Sequence, residues 1–321
     1  MASPEPGRGR SLTPSGAGNA QRAGPVVAVE HLEKRYGGVV AVRDVSFEVQ
    51  AGEIFGILGP NGSGKTTTVE CLQGLRDFDA GSVRVLGFDP ARQANELRRH
   101  IGAQLQESAL PDRMKVWEAL QLFASLRSGG LAWESVMEEW GLAEKRNAAF
   151  ASLSGGQQQR LFVALALVNA PKVVFLDEMT TGLDPASRRV AWGLIDRVRE
   201  HGATVVMVTH FMDEAERLCD RVAVIHRRTV IVTGSPAELV AKIRGSGEVT
   251  FTTDDDVSFL HTVAVVQQVT REGRRVTVTG TGPLLAHVAA ALVGRGIAPV
   301  DLEVRRASLE DAYLELTDGI R

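Results

Sequence analysis

Hydrophobic and polar positions change their period several times along the chain, and each change marks an element. Early on, "VVAVEHLEKRYGG" and "VAVRDVSFEVQAGE" alternate apolar with polar residues, the period of half-buried strands in an antiparallel layer. "EIFGIL" is then a continuous apolar run, followed by a glycine-rich loop and a helical texture. From about residue 111 the period lengthens. In "MKVWEALQLFASL", Val116, Leu120 and Phe123 recur at helical intervals, which predicts a helical insert over about 107–165. "KVVFLDE" and "ATVVMVTH" are again continuous apolar runs of strand length, suited to a parallel sheet covered on both faces. Between them, "LDPASRRVAWGLIDRVREHG" predicts a helix with Asp184 as its cap, Pro185 in its first turn and Gly202 past its end. Strand, helix, strand in that order makes an α/β core.

From about Pro236 the texture changes. "EVTFTT", "TVAVVQQV" and "RVTVTG" read as short strands, "PLLAHVAAALVGRG" as a helix and "APVDLEV" as another strand. The expected organisation is a tail over 1–24, a first domain over 25–235 and a small α+β domain over 236–321. The tail has no apolar core of the secretory kind. Its arginines and few acids allow an organellar transit peptide, but its Pro and Gly disfavour the amphipathic helix such peptides form, so a disordered tail is expected. Asp254, Asp255 and Asp256 read as a solvated turn.

Composition then removes several classes. A net charge of -3 gives no basic stripe, so no nucleic-acid partner is expected. Cys71 and Cys219 are the two cysteines, spaced for neither a metal nor a redox motif, which suits a reducing compartment. No segment approaches the ~18 consecutive apolar residues that a membrane-spanning helix needs.

The chemistry starts at "GPNGSGKTT", which comprises Gly59, Pro60, Asn61, Gly62, Ser63, Gly64, Lys65, Thr66 and Thr67. It matches G-x-x-x-x-G-K-[ST] between an apolar strand and a helix, where glycines let successive amides face phosphate oxygens. Lys65 would reach the β- and γ-phosphates of ATP, and Thr66 would ligate Mg²⁺. Asp177, at the end of "VVFLD", is placed to hold Mg²⁺ through water, and Glu178 beside it to act as general base; taken alone, this is an ordinary acidic strand end. His210 closes the next apolar strand, and neighbouring parallel strands would bring it to the same sheet edge for a γ-phosphate contact. A lone strand-end histidine is otherwise structural.

"LSGGQQQR" supplies a second anion cradle, with Ser154, Gly155 and Gly156 at the amino end of a buried helix. The first loop already serves this chain's nucleotide, so a second cradle is of more use to a nucleotide held by a second copy.

Together these motifs, with Gln106 in "QLQES", "TGLD" and "VTH", resemble in order and spacing the ATP-binding cassette (ABC) proteins, over nearly everything from Val26 to Leu239. The resemblance implies an ABC-type P-loop ATPase core with an antiparallel β layer and a helical insert, followed here by the small α+β domain. It implies head-to-tail pairing of two cassettes, each ATP clamped between one P-loop and the opposing Ser154, Gly155, Gly156 and Gln157. Tyr36 matches the aromatic that stacks on adenine, its plain alternative being a surface tyrosine. Gln106 matches the residue that senses Mg²⁺ and the attacking water, its alternative being a polar loop residue. Asp184 would touch the opposing subunit besides capping its helix. Two departures stand out: Met179 replaces the usual proline after Asp-Glu, and "HRRTV" lacks the glycine of that late hairpin turn.

The ending "SLEDAYLELT" resembles the daunorubicin-resistance-like exporter subunits, although Leu309, Tyr313 and Leu316 also make an ordinary apolar stripe. The implied protein is a homodimer at the cytoplasmic face of the membrane. It hydrolyses ATP to power a separately encoded ABC-2-type permease that exports drug-like, lipid or other hydrophobic compounds. The insert around Asp112 to Trp117 is where the family receives a permease helix. A soluble ABC ATPase acting on ribosomes or DNA is the competing class, countered by the single cassette. A non-hydrolysing regulatory module is the other, countered by Glu178 and His210.

Overall fold

The alternating segments form two long antiparallel strands, β1 (Val27–Tyr36) and β2 (Val39–Val49). Val27, Val29, Val45, Phe47 and Val49 all point into one apolar cluster while their neighbours meet water, as a sheet covered on one face requires. The computed structural model describes residues 24–104, 109–127, 129–242, 247–305 and 307–318; the expected tail up to residue 23, and Gln106, lie outside the described residues.

After β2 come β3 (Ile54–Leu58), α1 (Lys65–Leu72), β4 (Ala80–Val85), α2 (Ala94–Leu97) and β5 (Ile101–Gln104). The insert holds α3 (Val116–Ser125), α4 (Trp133–Glu139) and α5 (Gly155–Leu167). The chain then runs through β6 (Val173–Asp177), α6 (Pro185–Glu200), β7 (Thr204–Thr209), α7 (Met212–Leu218), β8 (Arg221–His226), β9 (Thr229–Gly234) and α8 (Pro236–Lys242). These strands make one nine-stranded sheet in the order β4-β1-β2-β9-β8-β3-β7-β6-β5. Strands β5, β6, β7, β3 and β8 run parallel to their neighbours in that series.

The continuous apolar runs have the reason expected of them. In β3, Ile54 and Leu58 face one core cluster and Phe55 and Ile57 the other; in β6, Val174 and Leu176 face the first and Val173 and Phe175 the second. Helices of the insert together with α6 and α7 build the first cluster, and α1 with the antiparallel layer builds the second. Met179 lies in the first cluster at 5% exposure, so the loop after Glu178 is anchored by packing where the family has a proline.

The C-terminal part forms a separate antiparallel sheet from β10 (Gly247–Thr252), β11 (Val266–Glu272), β12 (Arg275–Gly280) and β13 (Val300–Arg305), in the order β11-β12-β10-β13, with α9 (Leu284–Val293) on its core. One strand starts later than the apolar pattern of "TVAVVQQV" predicts. Ser258–Thr262 is a 3-10 turn, opened by the Ser258 N–H donating to Asp256 (2.9 Å) and pinned by buried Leu260, and β11 begins only at Val266. Asp254, Asp255 and Asp256 are the exposed bend expected of them.

The last helix, α10 (Leu309–Asp318), leaves this sheet. Leu309 and Ala312 are buried in the first core cluster together with Leu239 of α8, and the Leu309 N–H donates to Glu216 of α7 at 3.3 Å. Packing thus ties α8 and α10 to the nucleotide-type core, whereas composition alone groups them with the small sheet.

Candidate active site

The loop between β3 and α1 is shaped by what presses on it. At Gly59 (φ 156) a Cβ would stand 2.2 Å from the Ile225 carbonyl oxygen at the end of β8. At Gly64 (φ 102) it would stand 2.5 Å from the Ala41 carbonyl oxygen of β2. Neither position accepts a side chain without moving backbone, and Gly64 sits in the left-handed region as well.

Lys65, the first residue of α1, is 4% exposed. Its Nζ donates to the Pro60 carbonyl oxygen at 3.1 Å and lies 3.7 Å from Glu178 Oε1. Burial pulls the Lys65 pKa below the usual lysine range, while Glu178 and then Asp177 oppose that pull. The parallel pairing of β6 with β7 sets Asp177 beside Val208, so Glu178 and His210 emerge at one sheet edge. His210 Nδ1 lies 3.5 Å from Glu178 Oε1, and the Thr181 hydroxyl donates to Glu178 Oε2 at 3.4 Å. Glu178 holds φ 47, fixed by its N–H donating to the Val208 carbonyl oxygen at 3.0 Å.

Asp177 is 2% exposed, and burial pushes its carboxyl up to about 6, with the Thr66 hydroxyl pulling it back. Its Oδ1 is buried without a hydrogen-bond partner. An orphaned carboxylate oxygen next to a threonine hydroxyl fits a hard cation that takes one or two protein oxygens and completes its shell with phosphate and water.

Beside the loop lies a cavity of about 450 Å³. Asn61, Gly62, Gly64, Lys65, Thr66, Thr67 and Glu178 line it together with Tyr36, Val39, Val40, Ala41 and Arg228. Tyr36 is 42% exposed, with Lys34 Nζ 5.5 Å and the Arg76 guanidinium 5.9 Å from its ring centre. Of the residues expected here, Gly59, Pro60, Ser63, Asp177 and His210 do not line the cavity, although His210 reaches Glu178, which does. Gln106 lies outside the described residues.

The second cradle is built as a helix start. Ser154 stands at the N-cap of α5 in extended backbone conformation, its carbonyl oxygen accepting from the Gln157 N–H at 2.8 Å while Gln157 Oε1 accepts from the Ser154 N–H at 3.0 Å. Gly155 and Gly156 have open space where a Cβ would be. With Gln157 and Asp184 they line a second cavity of about 540 Å³ that shares no lining residue with the first. Asp184 caps α6, its Oδ1 accepting from the Ala186 and Ser187 N–H groups at 2.9 and 3.1 Å. The Ser187 hydroxyl, then those N–H groups, hold its carboxyl below the usual range.

Sequence reasoning missed Val39, Val40, Ala41, Thr181 and Arg228. The first three carry only a strand signal. Arg228 carried one that was visible, its place in a hairpin turn where the family has glycine.

The ABC transporter family matches residues 42–181, which contain both cradles and the carboxylate pair. Over 304 residues the chain is 36% identical to "Nod factor export ATP-binding protein I" of Ralstonia nicotianae, covering 91% of this chain and 94% of that one. It is 33% identical to "Daunorubicin resistance ATP-binding protein DrrA3" of Streptomyces coeruleorubidus, covering 93% and 98%. Among solved structures, cbiO1 from Clostridium perfringens, part of the ABC transporter complex cbiONQ, superposes with a TM-score of 0.62 at 28% identity, over 68% of this chain and 92% of that one. With likeness of that extent in sequence and fold, the chain belongs to the ATP-binding subunits of ABC transporters, a family that hydrolyses ATP to power transport.

Proposed function

We propose that this chain works as a pair of copies, each nucleotide held by the P-loop cavity of one and the Ser154 cradle of the other. The observation that carries this reading is the separation of the two anion sites. They line distinct cavities that share no residue, which supports a second cradle meant for a nucleotide held by another copy.

In this reading Lys65 and the amides of the loop bind the phosphate chain. Thr66 and Asp177 would hold Mg²⁺, which when bound supplies positive charge at the phosphate oxygens. Glu178 takes the proton of the attacking water, and His210 steadies the γ-phosphate from the end of β7. Tyr36 lines the same cavity and offers an exposed ring on which adenine would stack. The Ser154, Gly155 and Gly156 amides of the opposing copy close the site and neutralise charge from the far side.

The work done is transport through a separate membrane subunit. Among the described residues no helix is long and apolar enough to cross a membrane. Beside α3 an apolar groove of about 450 Å³ runs between Ile101, Leu110, Phe123, Phe162 and Leu165, next to the exposed residues 111–113. It suits a helix of an ABC-2-type permease at the cytoplasmic face of the membrane. Export of hydrophobic, drug-like or lipid cargo is the direction supported by relatives named for Nod factor export and daunorubicin resistance.

The test mixes two inactive variants. Lys65→Ala spoils the P-loop and Ser154→Arg fills the cradle, so each alone is inactive. A mixed pair contains one site built from the intact P-loop and intact cradle, and ATPase activity should return on mixing. Full activity of Ser154→Arg by itself would refute the shared site.

A further inference from the structure

The turn between β8 and β9 has two residues, Arg227 and Arg228, with φ of 47° and 72°, between the paired His226 and Thr229. Positive φ at both central positions is the type I′ hairpin, whose usual occupants are Asn and Gly because a Cβ there is strained. Two arginines at such positions have no local reason.

The turn is held from three sides. The Arg228 carbonyl oxygen accepts from the Arg43 N–H of β2 at 2.9 Å. Ile225 presses on Gly59 of the P-loop, and the His226 ring meets Tyr313 of α10 edge-on at 6.4 Å. Arg228 is therefore presented on a fixed frame, and it is one of the residues that line the P-loop cavity, with Lys65 and Glu178. Arg227, its exposed neighbour, does not line that cavity.

The charges complete the argument. Lys65 is 3.7 Å from Glu178, so part of its charge is already answered inside the protein. Among the described residues the Arg228 guanidinium forms no ion pair and no hydrogen bond. An unanswered guanidinium on the wall of an anion cavity offers a charge-assisted fork to phosphate oxygens.

We infer that Arg228 is a nucleotide-binding residue, its guanidinium gripping the phosphate chain of the nucleoside triphosphate from the β8–β9 turn. This rests on the reading that the nucleotide occupies the P-loop cavity. The strained turn is then explained by what its second residue reaches.

The experiment uses the full chain and three nucleotide probes, ATP, ADP and adenosine, competing against a fluorescent ATP analogue. Arg228→Gln keeps a side chain at the strained position and removes only the charge. It should weaken ATP roughly five- to thirtyfold, ADP less, and adenosine by less than about twofold. Arg228→Lys should recover part of the loss, and Arg227→Gln should stay within about twofold of wild type. ATP affinity unchanged in Arg228→Gln, or an equal loss for ATP and adenosine, overturns the inference. Lys65→Ala run in parallel separates the two levels. If it weakens ATP while Arg228→Gln does not, only the role of Arg228 fails; if neither does, the P-loop reading itself fails.

Discussion

Gly64→Ala puts the geometry of the phosphate loop to a quantitative test. The residue has φ 102, so any side chain costs roughly 1–2 kcal/mol of backbone strain before contacts are considered. Its new Cβ would lie 2.5 Å from the Ala41 carbonyl oxygen, about 0.9 Å short of ordinary van der Waals contact. Neither side yields freely. Ala41 belongs to β2, and the Gly64 carbonyl oxygen accepts from both the N–H and the hydroxyl of Thr68, each at 2.9 Å. Overpacking of this kind adds about 1–3 kcal/mol. The displacement falls one residue from Lys65, where a misplacement near 1 Å costs on the order of a hundredfold in rate. Gly52→Ala is the control: φ is 79, nothing lies within 4 Å of its Cβ, and it stands in the turn before β3. Urea denaturation should show a loss of roughly 1–2 kcal/mol for Gly52→Ala and about 2–5 kcal/mol for Gly64→Ala. Steady-state ATPase assays should show near wild-type turnover for the first and about a hundredfold loss for the second. Equal stability losses, or turnover of Gly64→Ala within threefold of Gly52→Ala, would sink the claim that β2 sets the position of the loop.

Two more outcomes are expected. Glu178→Gln should lower turnover by roughly a hundred- to ten-thousandfold while leaving ATP binding, and sedimentation with ATP and Mg²⁺ should then find a dimer; hydrolysis at the wild-type rate would remove Glu178 as general base. Ser154→Ala should destabilise the chain by about 1 kcal/mol because alanine is a poor residue at the N-cap of α5, read by denaturant midpoint, whereas Ser154→Gly should cost only a few tenths; equal losses in the two would show that N-cap preference does not govern this position.

The parts of the site that could be read from the sequence are those where the backbone itself dictates residue type. Gly59 and Gly64 are glycines because strands press on them, and the buried runs in β3, β6 and β7 are continuous because two clusters claim alternate residues. Asp184 was legible as a cap for the same local reason. What escaped depends on contacts distant in sequence. Val39, Val40 and Ala41 enter the cavity only because β2 lies over the loop, and Arg228 only because the β8–β9 turn is bonded to β2. The same holds for α10, whose apolar stripe is equally suited to the small sheet or to α7 and α8; burial of Leu309 and Ala312 in the first core cluster decides it. The late start of β11 has a different origin. Apolar residues at 263–266 satisfy a strand pattern, but the Asp256–Ser258 turn commits the backbone first.

The two cradles are separate in space yet mechanically joined, and the joint is α6. Its amino end carries Asp184 and Ser187 on the wall of the second cavity. One turn further in, the Arg188 guanidinium lies 4.0 Å from the ring centre of Phe211, whose ring in turn meets His210 at 4.1 Å. A turn beyond that, the Trp192 indole N–H donates to the buried Glu214 carboxylate at 3.1 Å. Burial raises the Glu214 carboxyl, and the hydroxyls of Thr209 and Thr180 pull it back; Thr209 is the residue before His210 and Thr180 stands two after Glu178. These contacts link the amino end of α6 to the segments that hold Glu178 and His210. Close packing of this kind transmits strain, so a displacement of Asp184 is expected to be felt at Glu178 and His210. If two copies pair as proposed, α6 is the element through which a nucleotide at the second cradle would act on Glu178 and His210.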